Sequence, residues 1–339
     1  MPPAEEQMQP GRAGASIRDV ARIAGVSHMT VSRVLNQHPN VSPATRERVE
    51  AAISRLNFRP SRTARALAHG SSRVIGVLEA SGGRLYGPAS TIAAIEDAAR
   101  SQGYSVMIAV GDGGREDAVA AVEHLLDQGA VGIIVVGPGA RAGEVMTDAA
   151  PGVPFVAMHA ARGAESVSAD QAAGGRSAAR HLLDLGHTAI AHLAGPSGWL
   201  EAEARAQGFA AELARAGLEP VRVEAGDWTP DSGYAAGKRM LAGGGFTAVF
   251  CANDQMALGL LHAAREAGIA VPEELSVVGF DDVPEAVHYA PALTTLRQDF
   301  PDLGRRAIAT LLARLGVAAQ PGPAPAPQLI VRASTRGIR

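Results

Sequence analysis

Residues 16–36 read S-I-R-D-V-A-R-I-A-G-V-S-H-M-T-V-S-R-V-L-N, and this stretch decides what the head of the chain is. Ile17, Val20, Ala21 and Ala24 recur at i, i+3, i+4 and i+7, which is one face of a short helix. Ser16 and Asp19 have the S-x-x-D spacing that closes a helix N-terminus reciprocally. Gly25 stops that helix, and Val26 and Ser27 lead into a second one with Ser27 as its cap. In the second helix Val31, Val34 and Leu35 face inward, while His28, Met29, Ser32 and Arg33 share the opposite face. The pair reads as a helix-turn-helix, and a short helix with reaching side chains near its start is what a DNA major groove admits. Ser42-Pro43 then caps a third helix with the apolar face Val49, Ala52, Ile53 and Leu56.

The charge distribution points to the same partner. Through Arg73 the chain carries eleven arginines and no lysine against five carboxylates, a formal +6; the remainder carries 20 basic against 29 acidic residues, a formal −9. A basic head on an acidic body fits a protein in which only the head meets a polyanion. Phe58–Gly70, F-R-P-S-R-T-A-R-A-L-A-H-G, is arginine-rich and has too little apolar area to bury by itself. At 339 residues the chain has room for the head and two further α/β units. The single cysteine, Cys251, forms no internal disulfide and suits a reducing cytoplasm. Residues 1–15 lack the apolar centre of a signal peptide and are expected to be a disordered tail, and no stretch is long and apolar enough to span a membrane.

After Arg73 short apolar runs alternate with helical stretches. The runs are R-V-I-G-V-L-E from Arg73, Y-S-V-M-I-A-V from Tyr104, V-G-I-I-V-V from Val131 and P-F-V-A-M from Pro154. They resume with A-I-A-H-L from Ala189, T-A-V-F-C from Thr247 and L-S-V-V-G-F from Leu275. This is the signature of parallel sheets built from βαβ units. Enzyme motifs are wanting. Gly137, Gly139 and Gly143 follow a strand with Glu165 farther on, but their spacing is G-x-G-x-x-x-G and Pro138 fits a pyrophosphate turn poorly. There is no G-K-S/T loop, no H-E-x-x-H and no cysteine–histidine metal spacing, so neither catalysis nor a cofactor is expected.

The run D-V-A-R-I-A-G-V-S-H-M-T-V-S-R-V-L-N, followed by V-S-P-A-T-R-E-R-V and N-F-R-P-S-R-T-A-R-A-L, resembles the LacI/GalR family of bacterial transcription regulators. The resemblance extends over nearly the whole chain. It implies a small all-α helix-turn-helix head and an α/β body of two parallel-sheet subdomains, like periplasmic sugar-binding proteins. The expected division is a tail at 1–15, the DNA-binding domain at 16–60, a hinge at 61–72 and the effector-binding and dimerisation domain at 73–339. Within the last, one lobe takes about 73–169 and 299–328, the other about 170–298 and 329–339, with crossings near Asp170, Gln298 and Leu329. The resemblance assigns DNA contact to Ser16, Ser27, His28, Met29, Thr30, Ser32, Arg33, Asn36, Arg62, Ala64 and Leu67. In it Arg33 reads guanine, and Leu67 of the hinge wedges between base steps in the minor groove.

In such a fold a ligand sits between the lobes, outside the carboxyl ends of the strands. The residues there include Leu85 and Pro88, then Arg205, Trp228, Asn253 and Asp281, and Gln298 and Phe300 at the last crossing. A guanidinium, carboxylates, amides and an indole are what a sugar requires, with paired hydroxyls on the polar groups and an apolar face on the ring. Arg205, Trp228, Asn253, Asp281, Gln298 and Phe300 match family residues at or beside the bound inducer. His159 departs from the pattern, standing where a sugar-responsive member carries an aspartate, and is kept as a ligand candidate. G-D-W-T-P-D-S-G-Y from Gly226 resembles galactoside-responsive members most.

Blander roles compete at several positions. Arg205 follows Glu201 by four residues, which also suits a helix-surface ion pair. One of Asp281 and Asp282 is assigned to a turn, Trp228 is either a stacking plane or a loop anchor, and Cys251 is a small buried strand residue. The implied function is a cytoplasmic, nucleoid-associated repressor of sugar-utilisation genes. It would bind a double-stranded palindromic operator as a homodimer, without membrane contact, and leave it when a sugar binds. The C-terminal leucine heptads of one tetrameric family member are absent, so a dimer rather than a tetramer is expected. The alternatives are a corepressor-dependent regulator that takes a purine or phosphorylated metabolite, and a cytoplasmic solute-binding module.

Overall fold

A computed structural model describes residues 15–35, 38, 40–58, 72–82, 85–111, 114–137, 142–158, 166–317 and 322–338. The chain divides into two compact units, Met1–Ser72 and Arg73–Arg339.

In the first unit α1 (Ile17–Ala24), α2 (His28–Leu35) and α3 (Pro43–Leu56) close around Val20, Ala24, Val31, Val34, Val49 and Ala52. Local chemistry sets each boundary. The Asp19 N–H donates to Ser16 Oγ (3.3 Å) and the Ser16 N–H donates to Asp19 Oδ2 (3.0 Å), so the expected capping box is present. These bonds with Ser16, aided by Arg22, hold the Asp19 carboxyl down to about 2. Gly25 ends α1 at φ 62°, a backbone conformation that costs a residue without Cβ nothing. Ser27 Oγ accepts from the Thr30 N–H (3.1 Å) and Ser42 Oγ from the Thr45 N–H (3.3 Å), which starts α2 and α3.

The second unit is built on two sheets. The first contains β1 (Val74–Glu79), β2 (Ser105–Val110), β3 (Ala130–Val136), β4 (Phe155–Met158) and β5 (Ser166–Val167). They are parallel, in the order β2-β1-β3-β4-β5. Its helices are α4 (Tyr86–Ser101), α5 (Arg115–Asp127) and α6 (Ala142–Ala149). The second contains β6 (Ile190–Ala194), β7 (Arg222–Ala225), β8 (Ala248–Cys251), β9 (Ser276–Asp281), β10 (Thr294–Arg297) and β11 (Gln328–Ile330). Its order is β11-β10-β9-β8-β6-β7, parallel except for β11 against β10. It carries α7 (Gln171–Asp184), α8 (Leu200–Arg215), α9 (Pro230–Gly243) and α10 (Asp254–Glu266). Every residue of β8 and β9 is buried, as expected of parallel strands covered on both faces.

The chain enters the second sheet after β5 and leaves it after β10. It then forms α11 (Phe300–Arg314), whose Phe300, Leu303, Ala307, Ile308 and Leu311 pack with Ile75 and Ile134 of the first sheet. It returns to the second sheet at β11. Three short strands carried no clear apolar run in the sequence: β5, the edge strand β7 (R-V-E-A) and β10 (T-T-L-R). The helix α4 takes in Pro88, which is harmless in a first turn whose N–H groups have no helical partner.

Candidate functional site

The carboxyl ends of β3 and β9, the start of α4 and the segments after β6, β7, β8 and β10 converge on one cleft. Leu85, Pro88, Arg205 and Trp228 line it, and so do Asn253, Asp281, Gln298 and Phe300. His159 lies outside the described residues.

Arg205 is the centre of the cleft's electrostatics. A close crossing of α7 and α8 places it: a Cβ on Gly175 would lie 2.1 Å from the Arg205 carbonyl, and one on Gly208 would lie 2.1 Å from the Ala172 carbonyl. Arg205 is 4% exposed, and its guanidinium sits 3.8 Å from the centroid of Phe280 and 5.5 Å from that of Trp228. Its Nε donates to Gln171 Oε1 (2.8 Å), its Nη1 to the Ala252 carbonyl, and its Nη2 lies 3.6 Å from Asp281 Oδ1. Burial presses its pKa down, while Asp281 and Glu201 oppose that. Gln171 Nε2 donates to Gln298 Oε1 (2.8 Å), and Gln298 Nε2 donates to Asp281 Oδ1 (2.7 Å). Arg205, Gln171, Gln298 and Asp281 thus close a ring of polar side chains, two of which lie directly beside the chain crossings.

The two adjacent aspartates divide their work. Asp281, at φ 110°, faces the cleft, and burial raises its carboxyl to about 6 against the pull of Arg205 and Gln298. Asp282 ties the outer segments together, accepting from Arg297 Nε (2.6 Å) and Arg332 Nη2 (2.6 Å). Asn253 caps α10, with its Oδ1 taking the Met256 N–H (2.9 Å), and its Nδ2 donates to the Trp228 carbonyl (3.0 Å). Its amide therefore also holds Trp228, whose backbone stands at φ 76°. The Trp228 indole is buried, its Nε1 has no partner, and its benzo edge packs on Gly195. Phe300 meets Tyr86 edge-on at 5.7 Å.

Several residues of the cleft region were not assigned to a ligand from the sequence, among them Gln171, Trp199 and Glu201, besides Thr91, Val136 and Gln255 of the lining. Gln171 bridges Arg205 and Gln298; Trp199 lines the cleft and meets Trp228 edge-on at 5.8 Å; Glu201 lines the cleft as a carboxylate rather than pairing with Arg205. The available signal for Glu201 was its i−4 position on the face of α8 that carries Arg205. Cys251 is buried, which pushes its thiol up and leaves it inert.

In the head, α2 exposes His28, Met29 and Arg33, with Met29 60% exposed despite its apolar side chain. Thr30 and Ser32 are half-buried beside them, and Ser27 Oγ lies 2.9 Å from Thr30 Oγ1. Ser16 is exposed at the start of α1. Asn36, Arg62, Ala64 and Leu67 lie outside the described residues.

The family model for bacterial regulatory proteins of the lacI family matches residues 16–61, and the periplasmic binding protein-like domain matches residues 179–335. The chain is 40% identical over 302 residues to the lactose operon repressor of Escherichia coli (strain K12), which covers 88% of this chain and 84% of that protein. The chain belongs to the LacI family. It is also 34% identical over 335 residues to the HTH-type transcriptional repressor PurR of Haemophilus influenzae (strain PittEE), across 96% of this chain and 99% of the relative. Its fold matches the crystal structure of the Lac repressor dimer bound to operator and the anti-inducer ONPF. That match has a TM-score of 0.86 and 36% identity, and covers 96% of this chain and all of the other. This LacI-family member is a DNA-binding transcriptional repressor and not an enzyme. Among the described residues no helix is long and apolar enough to cross a membrane.

Proposed function

We propose that this repressor controls sugar-utilisation genes, binding a palindromic operator as a homodimer and leaving it when a neutral sugar, a galactoside or close relative, enters the cleft. The observation that carries the reading is the charge and hydrogen-bond state of the cleft. Its buried guanidinium is already engaged by Asp281, Gln171 and the Ala252 carbonyl, while Asp281 and Glu201 add two carboxylates. A phosphorylated ligand would bring a further anion against that surface. A neutral polyol meets acceptors, residual donors and two indoles, a set that suits hydroxyls with an apolar ring face. A purine is the second reading: a flat base also stacks on indole, and the similarity to PurR extends over nearly the whole chain.

In this reading the polar ring supplies the coupling. A ligand that competes for Asp281 or Arg205 also perturbs Gln298 and Gln171, which sit at two crossings between the lobes. A sugar that binds one lobe arrangement better than the other then shifts the population between them. One helix-turn-helix reads only a few base pairs, which requires two heads on a palindrome. Arg33 is assigned to guanine, and Met29, which donates no hydrogen bond, to a thymine methyl.

Thermal-shift screening against neutral pyranosides, purines and sugar phosphates, with operator release followed by fluorescence anisotropy, tests the proposal. A pyranoside at about a hundred times its Kd stabilises the body by about 2.7 kcal/mol and releases operator. Stabilisation by a purine or a phosphorylated compound alone, with tighter operator binding, overturns it.

A further inference from the structure

We propose that Glu201 is a specificity-determining acceptor of the cleft, taking a hydroxyl hydrogen of the bound pyranoside on Oε2 beside the indoles of Trp199 and Trp228. The inference rests on the sugar reading above and names a contact within it. Glu201 stands in the first turn of α8, yet it is 8% exposed, and its Oε2 is buried with no hydrogen-bond partner. The helix end does not need it. Glu203 occupies the same turn on the solvent side and accepts from the Gly198 N–H (3.2 Å), so a carboxylate already serves the N-terminus from water.

Nor is it paired with Arg205, whose guanidinium engages Gln171, Ala252 and Asp281 instead. The neighbouring acceptors in the cleft do have donors: Asp281 receives Gln298, and Asn253 Oδ1 receives the Met256 N–H. Glu201 is therefore a buried acceptor without a partner in a cleft whose lining also carries an unpartnered donor, the Trp228 Nε1–H. A buried polar atom without a partner is costly, and a ligand that supplies the partner recovers that cost on binding. Sugar hydroxyls, each donor and acceptor, fit an unpartnered acceptor and an unpartnered donor in one cleft.

The test uses the full-length protein, methyl β-galactopyranoside and methyl β-glucopyranoside, and each monodeoxy analogue of both. Affinities are measured by calorimetry for the wild type, Glu201→Gln and Glu201→Asp. The expected result is that both variants bind the preferred parent glycoside about tenfold to a hundredfold more weakly, the range of a lost charged hydrogen bond. One monodeoxy analogue suffers a similar loss against the wild type and a clearly smaller one against Glu201→Gln, whose amide oxygen still accepts but carries no charge. The ligand-free melting temperature of Glu201→Gln does not fall. Retention by Glu201→Gln of the wild-type affinity, or of the wild-type discrimination against every deoxy analogue, overturns the role of Glu201 alone. A fall in its ligand-free melting temperature with affinity kept returns Glu201 to a structural part. Failure of the wild type to bind any pyranoside overturns the sugar reading itself.

Discussion

Asp281→Asn separates the carboxylate's charge from its shape. Asparagine keeps the volume and tolerates the φ of 110° at this position. In the fold burial raises the Asp281 carboxyl from 3.8 to about 6, even with Arg205 and Gln298 working against that shift. An acid whose folded pKa lies above its unfolded one stabilises the fold fully below the unfolded value and loses that contribution as pH rises through the folded value. The window is therefore about pH 4 to 6, and a shift of about two units corresponds to roughly 3 kcal/mol. The variant has no proton to lose there. Its stability relative to the wild type should improve by about 3 kcal/mol between about pH 4 and pH 7, read from urea unfolding at both. At neutral pH the same variant should bind sugar at least about tenfold more weakly, having lost a charged acceptor, and bind operator as the wild type does. Parallel pH profiles for the two proteins, or full sugar response in the variant, would refute the placing of a buried, ionised Asp281 in the ligand's path.

Arg33→Ala should cost about 1–3 kcal/mol on the cognate operator and leave binding to random DNA nearly unchanged in a gel-shift comparison; equal losses would make it a phosphate contact. Gly195→Ala sets a Cβ 2.2 Å from the Trp228 benzo edge, so the indole must move; sugar affinity should fall in calorimetry while operator affinity holds. Asp282→Ala leaves Arg332, 16% exposed, and the more exposed Arg297 without their acceptor. With that exposure discounted, the loss should be about 1–3 kcal/mol in urea unfolding, with the sugar affinity of the folded protein unchanged.

What the sequence disclosed follows the range of the interactions. The capping box of Ser16 and Asp19, the Gly25 stop and the Ser42-Pro43 start are settled within four residues, and all were legible. Arg205, Asp281 and Gln298 could be picked because strand ends in such sheets face a cleft and because family members carry matching residues. Gln171 could not: its amide matters only because Gln298, 127 residues away, folds against it. Glu201 entered the sequence reading only as an alternative i−4 partner for Arg205, and nothing local reveals that Asp281, far along the chain, engages that guanidinium. Asn253 was legible as a strand-end amide, but the capping of α10 and the grip on the Trp228 carbonyl depend on the packed lobe. The strands β7 and β10 pass unnoticed because four residues with arginine or threonine show no apolar run.

The most direct test of a sugar-filled cleft that governs operator affinity uses the chain's own fluorophores. Its only two tryptophans, Trp199 and Trp228, both line the cleft, so intrinsic emission reports on that site and not on the head. A galactoside or related pyranoside should shift the emission of the free protein saturably. With operator saturating, the same titration should move to higher sugar concentration. The factor should equal that by which sugar weakens operator binding in anisotropy, since coupling between two binding sites is reciprocal. Operator release by sugar with no change in tryptophan emission, or sugar affinities identical with and without operator, would contradict the account.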